Sequence, residues 1–235
     1  MSQVSPSFSS SVIQSIDDLR GPAGKLEAVL NGGRPDAPFA ALVCHPHPLG
    51  GGTMHNKVVY HAMKVFSGFG LPVLRFNFRG VGLSEGVHDY GPGELDDARA
   101  ALDWLDTNLG LPILLAGFSF GSYIGMRAAC DDARVKGIVG LGVPNLAEGR
   151  SYTYEFLERC TQPKLFISGT EDQYGPRDKV EPMLLRAAEP KKIVWIEGAE
   201  HFFQGTPNFP GPKLSLMQEA MRQWLSETFG LTPSV

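Results

Sequence analysis

Short runs rich in β-branched and apolar residues alternate with longer segments of helical periodicity from about residue 39 to the C-terminus, and no feature constrains the fold more. The runs FAALVCH (39–45), PVLRFNF (72–78), PILLAG (112–117), GIVGLGVP (137–144), KLFISG (164–169) and KIVWIEG (192–198) are too short for helices. Most are also too uniformly apolar for strands with one face in water. Strands buried on both faces need helices on both faces, so the alternation predicts an α/β domain with a mostly parallel sheet. The intervening helices are read at 55–70, 93–110, 122–130, 178–189 and 214–230, with a short one at 152–160. In the last long helix, Leu216, Met217, Ala220, Met221, Trp224 and Leu225 form a stripe expected to pack on the core. Ahead of the first buried strand, SVIQSI and KLEAVL flank the turn-forming RGPAG and predict an antiparallel hairpin.

The chain has 235 residues, 43% hydrophobic and 20% charged, which suits one α/β domain at 12–235. Residues 1–11, Ser-rich and without a basic or apolar stretch, are expected to form a flexible arm and not a secretory signal. A net charge of -4 argues against a nucleic-acid partner, which requires a basic face, and no polybasic cluster or long apolar run points to a membrane. Three cysteines, Cys44, Cys130 and Cys160, make an odd count without C-x-x-C spacing. They are expected to be unpaired, which implies a reducing, cytoplasmic compartment. Oligomeric state has no signature in the sequence.

The pattern G-x-S-x-G occurs twice, as GLSEG (82–86) and GFSFG (117–121), and only surroundings can separate the copies. Ser119 directly follows a buried strand and directly precedes a helical pattern. A nucleophile elbow needs that sharp strand-to-helix turn, which lifts the hydroxyl out of the sheet beside a helix N-terminus. Gly117 and Gly121 would avoid clashes where strand and helix approach. Ser84 is followed by the loop VHDYGPG, and Glu85 would set a carboxylate beside an anion-stabilising site. GLSEG is therefore read as a Gly-rich surface turn capped by Ser84.

A serine hydroxyl needs a general base and a group that orients the base. On an elbow of this kind the chain order is Ser, acid, His. Of six histidines only His201 follows Ser119, in the loop GAEHFF after a strand. The acid is expected after the preceding strand, where KLFISGTEDQYG offers Glu171 and Asp172. Asp131, Asp132 and Asp178 lie at helix ends, as caps or solvated charges. One oxyanion donor is expected from the backbone N–H of Phe120. A second is expected from the loop HPHPLGGGTMHN, where Pro46 and Pro48 carry no N–H; Leu49, or alternatively His47, is the candidate. His45 and His47 have no partners that would complete a metal site, so they are read as shaping the loop, and no metal or cofactor is expected.

With these residues placed, the chain resembles the α/β-hydrolase superfamily from about residue 25 to residue 230. The resemblance is carried in order by CHPHPLGGGTMHNK, VLRFNFRGVGLSEG, AGFSFGS, FISGTEDQYGP and GAEHFF. The loop HPHPLGG followed by TMHNK is similar to that of a group of small bacterial carboxylesterase-like members. The resemblance implies an α/β-hydrolase fold with Asp172 as the acid and His201 as the base, hence a serine hydrolase cleaving carboxylic esters through an acyl-enzyme. Only residues 144–163 stand where many members carry a helical cap, which implies a minimal cap, an open site and small ester substrates. Tyr152, Tyr154 and Phe156 could wall the acyl pocket or simply pack on the body. The same triad also serves thioesterases, amidases or peptidases and perhydrolases. A hydrolase scaffold can bind without turnover, although an intact Ser, Asp and His argues against that.

Overall fold

The computed structural model describes residues 12–130 and 132–234. The arm expected at 1–11 and the helix-end residue Asp131 lie outside them. The strands are β1 (Ile13–Ile16), β2 (Arg20–Gly21), β3 (Gly24–Lys25), β4 (Ala28–Asn31), β5 (Ala40–Cys44), β6 (Val73–Phe76), β7 (Ile113–Phe118), β8 (Val135–Leu141), β9 (Leu146–Ala147), β10 (Arg150–Ser151), β11 (Lys164–Gly169) and β12 (Lys191–Ile196). The helices are α1 (Lys57–Gly68), α2 (Pro92–Leu109), α3 (Phe120–Cys130), α4 (Arg177–Leu185) and α5 (Leu214–Phe229).

Eight strands form one sheet in the order β1-β4-β6-β5-β7-β8-β11-β12. From β6 to β12 every pairing is parallel, whereas β1–β4 and β4–β6 are antiparallel. The expected opening hairpin is therefore present, with the small β2–β3 ribbon at its tip. Strands β5, β7 and β11 are buried at every residue, because α2 and α3 cover one face and α1 and α5 the other. The α5 stripe packs largely as its spacing predicts: Met217, Met221, Trp224 and Leu225 are buried, but Leu216 is exposed. No helix among the described residues is long and apolar enough to cross a membrane.

Two expectations change. Cys130 at the end of α3 is disulfide-bonded to Cys160, and only Cys44 is free. An odd count leaves one thiol over but does not prevent two others from meeting in space. The inference of a reducing compartment loses the support it took from unpaired cysteines. The helix expected at 152–160 shrinks to a 3-10 turn at Glu155–Arg159. Tyr152 and Tyr154 instead turn their rings inward against Tyr123 of α3, and the Tyr154 hydroxyl donates to the Pro144 carbonyl at 2.7 Å.

The chain runs from β5 outward to β6 and then returns to β7 on the other side of β5. This reversal splays the following loops apart at the carboxyl ends of β5 and β7. Such a crevice is where open α/β sheets bind ligands.

Candidate active site

Four loops meet at that crevice. After β7 the chain turns abruptly, and Ser119 holds a left-handed backbone (φ 55°), a strained conformation for a residue with a side chain. Hydrogen bonds hold it there. Its N–H donates to the Leu141 carbonyl at 2.9 Å, and its own carbonyl accepts from the Ser122 hydroxyl at 2.7 Å. A Cβ at Gly117 would lie 2.2 Å from the Gly121 carbonyl oxygen, and one at Gly121 would lie 2.3 Å from that of His45. Only glycine fits at either position.

The loop after β12 brings in His201, whose Nε2 is 2.9 Å from Ser119 Oγ. Its Nδ1 lies 2.9 and 2.8 Å from the two oxygens of Asp172, in the loop after β11. Asp172 Oδ1 also accepts the backbone N–H groups of Tyr174 and Gly175, which fix the carboxylate in place. Both Asp172 and His201 are buried, and the adjacent Glu171 is exposed. The His201 ring is packed between Phe118, Tyr174 and Phe202 at centroid separations of 4.7 to 5.2 Å. Gly142 (φ 52°) leaves it room, since a Cβ there would come within 3.3 Å of the ring.

The loop after β5 forms the opposite wall. Burial lowers the His45 pKa to about 3, so the ring is neutral. Its Nδ1–H donates to the Pro46 carbonyl at 2.7 Å, and its Nε2 accepts the Phe78 N–H at 2.9 Å, tying the loop to the end of β6. The ring thus shapes the loop, as expected. The Leu49 N–H donates to His47 Nδ1 at 3.2 Å, and Leu49 is 62% exposed. It does not line the cavity, whereas His47 does. Among the described residues the backbone N–H groups of His47 and Phe120 donate to no other group. The cavity over Ser119 and His201 is open to solvent, and Ala147, Glu148, Tyr174 and Phe202 contribute to its walls.

Residues 40–227 match the family described as an alpha/beta hydrolase domain. The chain belongs to that alpha/beta hydrolase family. An uncharacterised protein of Rickettsia prowazekii is 38% identical over 194 residues, covering 79% of this chain and 81% of the relative. An alpha-beta serine hydrolase homologue from Coxiella burnetii has 34% identity, a TM-score of 0.79, and coverage of 90% of this chain and 97% of the other. A serine hydrolase from Xanthomonas campestris described as having no lid has 32% identity and a TM-score of 0.81, over 97% of this chain and all of its own.

This alpha/beta hydrolase uses its second G-x-S-x-G copy differently. Ser84 is buried, its hydroxyl donating to the Asn77 carbonyl at 2.6 Å and accepting the Glu27 N–H at 2.9 Å. It rivets the post-β6 turn to β4 and is not a surface cap. Arg79 anchors the same turn through a buried ion pair with Asp97 at 2.8 Å. Tyr152, Tyr154 and Phe156 do not wall the cavity. That place is taken by the β9–β10 hairpin, whose Glu-Gly tip at residues 148 and 149 is a turn signal that went unread in the sequence.

Proposed function

We propose that the protein is a serine esterase, in which Ser119 is the nucleophile, His201 the general base and then acid, and Asp172 the group that orients the imidazole. The observation that carries this reading is the unbroken line of short contacts from Asp172 through His201 to Ser119 Oγ. Ser119 Oγ attacks the ester carbonyl carbon while its proton passes to His201 Nε2. The imidazolium is stabilised by Asp172, which does not itself take the proton. The oxyanion lies between the N–H groups of Phe120 and His47, neither of which donates to another group. His201 then protonates the departing alkoxide, leaving an acyl-Ser119 ester. Water repeats the sequence from the other side, releasing the carboxylic acid and restoring Ser119.

The open cavity and the short 144–163 interval favour small acyl groups. A fluorophosphonate probe should label the wild-type protein at Ser119 and block ester turnover. Failure to label a folded protein, or ester turnover that survives Ser119→Ala, would overturn the reading.

A further inference from the structure

We propose that Arg150 recognises a carboxylate carried by the substrate, so that the preferred esters bear a single negative charge remote from the scissile bond. This rests on the esterase reading and adds a substrate class to it. Arg150 is the cross-strand partner of Ala147 in the β9–β10 hairpin, and Ala147 and Glu148 line the catalytic cavity. Its guanidinium lies 5.7 Å from the Tyr123 ring centroid and 5.5 Å from that of Tyr152. Tyr123 stands one helical turn after Ser119 on α3, with its N–H donating to the Ser119 carbonyl at 3.3 Å.

Among the described residues no carboxylate lies within ion-pair distance of the cation. None of the ion pairs among the described residues includes Arg150, and its buried Nη1 has no hydrogen-bond partner. It also lies against Gly91, the N-cap of α2, where a Cβ would come within 2.8 Å of Nη1. The N–H groups of that helix N-terminus are taken by the carboxylates of Glu94 and Asp89, which make no hydrogen bond to Arg150. One more polar atom beside it lacks a partner, the hydroxyl of Tyr152, which is 1% exposed. A cation and a buried hydroxyl left unsatisfied beside the Tyr123 and Tyr152 rings suit an anionic oxygen pair. The planar fork of a single guanidinium suits a carboxylate. Glu148, at the cavity rim, would repel a more highly charged group.

The test compares matched esters by pH-stat: monomethyl glutarate against methyl pentanoate, and 4-acetoxybutanoate against butyl acetate. The two pairs place the carboxylate on the acyl and the alcohol side respectively. We expect kcat/KM to favour the anionic member of at least one pair by about tenfold or more, the usual size of a charge-assisted contact. Arg150→Gln should cut that ratio about tenfold, chiefly through KM, and Arg150→Lys should restore part of it. Glutarate should slow fluorophosphonate labelling of the wild-type protein more than glutaramide does, a readout that needs no variant. Ratios near one in both pairs, or a ratio unchanged by Arg150→Gln while the melting temperature falls, would show Arg150 to be structural only. In that case Ser119 labelling and neutral-ester turnover would leave the esterase reading standing. With neither labelling nor turnover, both proposals fall.

Discussion

At the scale of single residues, two serines in the same five-letter pattern have opposite surroundings. Ser119 is strained and its hydroxyl faces His201, whereas the hydroxyl of Ser84 is engaged on both sides by backbone. Ser119→Ala should reduce ester turnover by at least about three orders of magnitude without loss of fold. Ser84→Ala should keep full probe labelling yet lose about 1–3 kcal/mol of stability in urea unfolding, the cost of stranding buried polar groups. His45 links stability to pH. Unfolded, it takes up a proton as pH falls below its ordinary value of 6.5; folded, it stays neutral down to about 3. Its contribution is complete above pH 6.5 and is lost as pH falls through that window, by up to about 1.4 kcal/mol per pH unit. Urea midpoints between pH 7.5 and 5 should show this slope, and His45→Gln should flatten it by about one proton.

At the scale of elements, the elbow depends on how closely β5, β7 and α3 approach. Gly121→Ala would put a methyl group against the carbonyl oxygens of Cys44 and His45, so the loss should exceed about 2 kcal/mol in thermal unfolding, with probe labelling falling in parallel. Strands and helices were readable because burial on both faces imposes uninterrupted apolar runs, and helices impose their own period. The 152–160 segment stayed open between two readings because an aromatic-rich stretch has the same composition whether it walls a pocket or plugs a core. Tyr154 settles into the core because its hydroxyl finds the Pro144 carbonyl there. The Leu49 amide could not be judged from proline positions alone, because its acceptor is the His47 side chain, folded back over the loop.

At the scale of the whole molecule, the alpha/beta hydrolase body leaves an open cavity with no large cap, in keeping with the relative from Xanthomonas campestris described as having no lid. Hydrolysis of p-nitrophenyl acetate or butyrate should therefore exceed that of the palmitate ester by at least about tenfold in kcat/KM, since the cavity gives a long chain little apolar surface to bury. A preference for palmitate would contradict the small-substrate reading. Thiol titration in denaturant should count one cysteine before reduction and three after it, with Cys44 the one free at the start.

The amino-acid sequence by itself determined the fold class, the order of the main strands and helices, and Ser119 and His201 of the proposed triad, with Asp172 preferred over Glu171 through the family resemblance. Apart from that preference, each of these follows from local pattern: apolar runs, helical period, and a single histidine downstream of a strand-flanked serine. Tertiary structure alone decided that the Leu49 amide turns to His47, where the aromatic rings of 152–156 go, that Cys130 meets Cys160, and that Arg150 packs on Tyr123 and Tyr152 without an ion pair among the described residues. Each of those depends on which groups come within a few ångströms across the fold, and hydrogen bonds, disulfides and charge pairs are set by that distance and not by separation along the chain.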